Sequence, residues 1–327
     1  MVCFGTAAAG YDNKKFWVYS SSGTLADVKA ALEAGVDVDA RGKHNMTALM
    51  WAAGFNNDPE VSSALIKAGA DLEAKSEEGA TPLLYAAMFS RNPEVISTLL
   101  KAGADINVRN KYGWPILLCA VNSNRSAEVI SALLEAGVDV NERNHFGETA
   151  LMAAASSNRN PEVVSVLLKG GADLNARNDD DKTVLMCAVG TNNPDVISVL
   201  LEAGADVNAR NRFTTTVLMT SCLSNSPEVI SLLLKAGAEL NVRTDIGWTA
   251  LMCAAKFNEN PEVISLLLKE GADTTARDRY GDDALAYAAQ NKALRDTPIM
   301  DVLREATNRQ REESEASLGG VSDVTKK

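Results

Sequence analysis

The sequence predicts an all-α solenoid of stacked helix-turn-helix units with projecting hairpin loops, and three observations carry that expectation. A tetrapeptide close to Ala-Gly-Ala-Asp places its glycine at Gly35, Gly69, Gly103, Gly137, Gly171, Gly204, Gly237 and Gly271, at spacings of 33 or 34 residues. A second mark, in its fullest form Thr-Ala-Leu-Met followed by alanines, starts 12 residues after each glycine, at Thr47, Thr81, Pro115, Thr149, Thr183, Thr216, Thr249 and Asp283. Aromatic residues number only 17 in 327, so the packing must use small side chains at close spacing.

Taken in order, residues 1–13 read as a flexible leader, and Lys14 to Ala34, with Phe16, Trp17, Val18 and Tyr19, as an irregular capping unit. In each full unit helix one is the alanine-rich segment. Leu49, Ala52 and Ala53 and their counterparts form an apolar i, i+3, i+4 face that lets a neighbouring helix approach closely. Asn92-Pro93-Glu94 and its repeats then start helix two. The first residue caps orphan N–H groups, proline at the first helical position forfeits no hydrogen bond, and the carboxylate lies at the positive end of the helix dipole.

Val95, Ile96, Leu99 and Leu100 give helix two a stripe wide enough to be buried against its hairpin partner and the next unit. The helix closes at Lys-Ala-Gly, where glycine adopts the left-handed conformation. The polar segment between Gly103 and Pro115, with Gly113 placed for a positive φ, reads as a projecting hairpin. One-residue length changes are expected in the turn between the helices. A single unit cannot bury its own apolar face, so the units stack.

Asp181 and Thr214 replace the tip glycine. Threonine is β-branched, so the hairpin from Phe213 to Thr216 is expected to be distorted or mobile. Asp283 to Ala306 lacks the closing glycine and reads as the second cap, making an array over 14–306 of an N-cap unit, seven full repeats and a C-cap unit. Residues 307–327 hold one leucine and no aromatic residue, and read as a disordered polar tail.

The Thr-Ala-Leu-Met mark with its alanines, the Leu-Leu-x-x-Gly-Ala-Asp close of helix two, the Asn-Ala-Arg-Asn run and the Gly-x-Thr turn resemble the ankyrin repeat across residues 14–306. Two departures stand out. Methionine occupies the place the family often gives to histidine, at Met50, Met152, Met186, Met219 and Met252, which removes a loop-bracing hydrogen bond; Asn-x-Asn-Pro-Glu replaces a common Gly-His. Neither is expected to change the architecture.

The resemblance implies an array that binds another protein along its concave hairpin and helix-one face, through the positions that vary from unit to unit. Here those positions hold Phe55, Phe89, Tyr112, Trp114, Phe146, Phe213, Trp248, Phe257 and Tyr280, nine of the 17 aromatics. Aromatic side chains supply much of the hot-spot energy at interfaces. For Trp114 and Trp248, packing on the next hairpin is an equal alternative. The strictly repeated residues, such as the Asp105, Arg109 and Ser97 ladders, are assigned to scaffolding and solvation.

Other function classes find little support. A net charge of −11 lacks the electrostatic footprint of nucleic-acid binding, and the acidic tips Asp179, Asp180 and Asp181, and Glu77 with Glu78, favour a partner of basic or mixed charge. No stretch approaches 18 apolar residues and no secretory leader is evident, so a cytoplasmic location is expected without membrane insertion. Five widely spaced cysteines suit neither a disulfide framework nor a zinc site. His44 and His145 fall on hairpin tips about three repeats apart, and no catalytic motif is present. The expectation is a monomeric, non-enzymatic scaffold or adaptor with no catalytic residue, no metal and no cofactor. An inhibitor or regulator of a partner enzyme, or an effector exported into a host cell, would share these features.

Overall fold

A computed structural model describes residues 12–319 apart from 125, 158, 159 and 225. The leader residues 1–11 and the tail residues 320–327 lie outside the described residues. Among the described residues, eighteen α-helices pair into nine helix-turn-helix units, the all-α repeat architecture expected. The first helices of the pairs are α1 (Asn13–Ser22), α3 (Ala48–Phe55), α5 (Pro82–Phe89), α7 (Ile116–Ser123), α9 (Ala150–Ser157), α11 (Val184–Val189), α13 (Val217–Ser221), α15 (Ala250–Phe257) and α17 (Ala284–Gln290). The second helices are α2 (Leu25–Glu33), α4 (Pro59–Lys67), α6 (Pro93–Lys101), α8 (Ala127–Glu135), α10 (Pro161–Lys169), α12 (Pro194–Glu202), α14 (Pro227–Lys235), α16 (Pro261–Lys269) and α18 (Ile299–Gly319).

The chain divides into two compact bodies, residues 1–173 and 174–327. Within the first, helix one packs on helix one from α1 through α9, and helix two on helix two from α2 through α10. The second repeats the pattern from α11 through α17 and from α12 through α18. The core follows the sequence period: Val95, Ile96 and Leu99 of α6 are fully buried, as are Val263, Ile264 and Leu267 of α16. Leu100 is only half-buried. Each such Val, Ile or Leu contributes about 1.5–3 kcal/mol on burial.

Capping chemistry sets the helix boundaries. The threonine of each mark is buried and accepts the N–H three residues on, as in Leu84 to Thr81 at 3.3 Å and Met219 to Thr216 at 3.2 Å. At Met50 the thioether accepts the Thr47 N–H at 3.4 Å, so methionine retains a weak brace in the histidine position. Helix two opens at Asn92 and its counterparts, whose side chain accepts the N–H of Glu94 at 2.9 Å.

The first asparagine of Asn-x-Asn-Pro-Glu does more than its sequence position announces. Asn124, buried at the end of α7, donates to the carbonyls of Ala87 (3.2 Å) and Ser90 (2.7 Å) in the preceding unit and accepts the Ser126 N–H at 3.0 Å. Asn56 bonds Ser20 and Gly23 in the same manner, and Asn291 bonds Ala255 and Asn258. This motif therefore joins unit to unit.

Three expectations require correction. The missing residue of the 33-residue units shortens helix one itself: α11 and α13 run for six and five residues against eight in α3. The Thr214 hairpin keeps the regular geometry, with the Arg210–Thr216 bridge in place and Asn211 accepting from Phe213 and Thr215. Thr214 does adopt φ 56°, but its hydroxyl donates to the Phe213 carbonyl at 2.7 Å and accepts the Asp245 N–H at 2.9 Å, offsetting the strain.

The third concerns the tail. Residues 307–319 continue α18 as helix. Thr307 is buried, Gln310 accepts from both the N–H and hydroxyl of Thr274 at 2.9 Å and donates to the Ala272 carbonyl, and Arg311 reaches Asp283 at 3.2 Å. Polar side chains close the last unit here, a role that composition alone does not reveal.

Two stability changes follow. Replacing Asn124 with alanine leaves two carbonyls and an N–H unpartnered and is expected to cost about 1–3 kcal/mol in urea unfolding. Ser62 stands where the other units have Ile or Val, and its hydroxyl is buried without a partner. Ser62→Val is expected to raise stability by about 1 kcal/mol, read as a higher unfolding midpoint.

Candidate functional site

The hairpin tips are built by one repeated side chain. Asn110 accepts the N–H groups of Tyr112 (2.9 Å) and Trp114 (3.0 Å), folding the loop back and fixing both aromatic residues. Asn144 does the same for Phe146, Asn211 for Phe213 and Asp278 for Tyr280, each at 2.9 Å. Such local turns place a large side chain outward on a rigid base. The glycine at the tip takes a positive φ, 74° at Gly113.

In the first body the expected residues form two surfaces. Phe55 and Phe89, 46% and 41% exposed, stack with ring centroids 5.4 Å apart and an interplanar angle of 19°. Trp51 abuts Phe55 at 5.4 Å and Tyr85 abuts Phe89 at 5.9 Å, extending the strip along α3 and α5. Tyr112, Trp114 and Phe146 instead line an apolar pocket of about 490 Å³ with Met88, Cys119 and His145. The His145 ring lies 3.8 Å from that of Phe146.

In the second body Phe213 and Trp248 line a pocket of about 390 Å³ with Met219, Ile246, Cys253, Arg212 and Arg279. Phe257 packs beside Trp248, with centroids at 5.8 Å. Trp248 is also anchored: its Nε1 donates to Asp278 at 3.2 Å, and Tyr287, 5.0 Å away, donates its hydroxyl to the same carboxylate at 2.5 Å. Lys256 lies over both rings, 5.6 Å from Trp248 and 4.4 Å from Tyr287. Tyr280 stands apart at 76% exposure.

Burial acts to raise the Asp278 carboxyl, but the hydrogen bonds from Tyr287, the N–H groups of Tyr280 and Asp282, and Trp248 hold it below the usual carboxylate range. Burial and the bond to Asp278 push the Tyr287 hydroxyl up to about 12. Within this anchored group the sequence singled out Trp248 but not Tyr287. Its signal is the position four residues after the cap, which varies as Trp51, Tyr85, Cys119, Ala153, Cys187, Thr220, Cys253 and Tyr287.

The ladders serve the repeats. Arg109 donates to the Gly113 carbonyl within its own tip and pairs with Glu142 of the next, and Arg177 donates to the carbonyls of Asp181 and Arg210. Cys119, Cys222 and Cys253 are buried, and burial pushes the thiols of Cys119 and Cys253 up to about 12 and that of Cys222 well above the ordinary range. Among the described residues no cluster of His, Cys, Asp and Glu could hold a metal ion, and no helix is long and apolar enough to cross a membrane.

A family model described as ankyrin repeats, three copies, matches residues 16–110, 116–211 and 218–309. No curated protein matches the chain.

The raised thiols and the Tyr287 hydroxyl set a pH dependence. Cys119, Cys253 and Tyr287 are protonated in the fold up to about pH 12, whereas the unfolded chain releases thiol protons near 9 and the phenol proton near 10. The stability they contribute is complete below about pH 9 and declines as the pH climbs toward 12. The urea midpoint is expected to fall between about pH 8 and about pH 10.5, less steeply in a Cys119→Ala/Cys253→Ala variant than in the parent.

Proposed function

Because the chain belongs to the ankyrin-repeat family, whose repeats are protein-protein interaction modules, we propose that it is a non-enzymatic adaptor that binds another protein through its hairpin tips and helix-one face. The observation that carries this reading is the set of large, exposed aromatic side chains held outward by Asn110, Asn144 and Asn211 on a packed base. Side chains ordered before contact lose little entropy on association. Phe55, Phe89, Tyr112, Trp114 and Phe146 serve one body, and Phe213, Trp248, Phe257 and Tyr280 the other. The chain's net charge of −11 favours a partner of basic or mixed charge.

Cys119, Cys222 and Cys253, buried and not joined in disulfides among the described residues, suit a reducing compartment, in keeping with a cytoplasmic protein. The polar Gln310 and Arg311 on α18 bond Ala272 and Asp283 at the end of the second body, which supports a monomer.

Affinity capture from the native organism, read by mass spectrometry, identifies the partner. Replacing Phe89, Tyr112 and Phe146 together with alanine is then expected to weaken its binding by tenfold or more, about 1.4 kcal/mol, while the far-UV circular dichroism stays that of the parent. Unchanged affinity would remove these residues from the interface.

A further inference from the structure

Among the described residues each body has an apolar pocket beside its tips, and the two rims differ in charge. Beside the pocket of the first body the charged tip residues are matched, Lys111 with Glu78 at 2.6 Å and Arg109 with Glu142. That rim selects no sign of charge.

The pocket of the second body has a floor of Phe213, Met219, Ile246, Trp248 and Cys253, with Arg212 and Arg279 at its edge. Arg212 pairs with Asp180 and lies over the Phe213 ring. Arg279 is exposed, donates to the Asp245 carbonyl at 3.3 Å, and among the described residues has no carboxylate within ion-pair distance. Lys256, stacked on Trp248 and Tyr287, likewise has none. One guanidinium without a carboxylate partner, Arg279, thus borders an apolar recess in a protein whose net charge is −11.

Building on the interaction reading above, we propose that this pocket seats a bulky apolar side chain of a partner protein while Arg279 holds an acidic residue next to it. A guanidinium fork matches a carboxylate through two parallel N–H bonds. Asp245 on the rim and Asp180 behind Arg212 repel further negative charge. The match is therefore to one acidic residue beside the apolar anchor and not to an acidic stretch.

Random linear peptides displayed on phage and panned against the immobilised full-length chain test this. The enriched sequences are expected to place Trp, Phe, Leu or Met beside Asp or Glu, with capture reduced about tenfold by Arg279→Glu and largely retained by Arg279→Lys. Arg279 is exposed, so an unchanged urea midpoint confirms that the variants are folded. Enriched peptides without an acidic residue, or equal capture by Arg279→Glu, overturn the proposal. Peptides lost on the Phe89→Ala/Tyr112→Ala/Phe146→Ala variant but indifferent to Arg279→Glu overturn it while leaving the protein-binding reading intact. Capture through neither surface overturns both.

Discussion

An asparagine at the end of helix one, Asn56, Asn124, Asn258 or Asn291, holds its unit in register on the unit before. A helix leaves its last carbonyls without partners, and an unpartnered buried carbonyl costs about 1–3 kcal/mol. Asn124 meets that need for α5 with its amide N–H groups, while its oxygen receives the N–H of Ser126 at the entry to α8. The carbonyls belong to one unit and the amide to the next, so all three bonds exist together only when the units are correctly stacked. Asn258 and Asn291 repeat the arrangement in the second body, on Cys222 and on Ala255 with Asn258. Apolar burial brings helices together without fixing their relative height; these directional bonds fix it.

A second polar level runs through the hairpins. Backbone N–H groups at the start of each loop are received by the loop before: Asp71 by Asp39, Asp105 by Glu73 and Asp173 by Asn141 in one body, Glu239 by Asn208 and Asp273 by Asn241 in the other. With the loops tied at their bases, the tip residues have no structural task in common. This is the physical reason the tips tolerate different side chains from unit to unit, and why the aromatic residues of a chain so poor in them can collect there.

Legibility followed this division. The 33- and 34-residue spacing and the glycine ends mark every full unit, and starts close to Asn-Pro-Glu mark all but that of α8, where Ala127 replaces proline, because each reflects a local backbone requirement. Exposure of Phe55, Phe89, Tyr112 and Phe146 followed from their variable positions. The bridging role of Asn124 was hidden because its partners lie 34 and 37 residues away. The helix over 307–319 was hidden for a related reason: Thr307, Gln310 and Arg311 are polar in composition, yet they complete the last unit's hydrogen bonds. At Thr214 steric preference pointed to distortion, but the surrounding bonds, including the one to Asp245 in the next tip, determine the loop.

The two tryptophans show why packing and recognition are not alternatives at such positions. Trp248 is secured at one edge, where its Nε1 meets Asp278, and the same ring forms a wall of the pocket lined by Phe213 and Arg279. An indole fixed at its polar edge still offers its face, with no rotamer freedom left to lose on contact. Trp114 reaches a similar state differently. Asn110 fixes its backbone, its Nε1 is buried without a partner, and its ring lines the pocket beside Cys119. An unsatisfied buried donor is tolerable in a marginally stable fold only where neighbouring contacts offset it. The packing that immobilises each indole is thus the same packing that makes it a firm wall, so the residues best braced by the repeat are also those best prepared for contact.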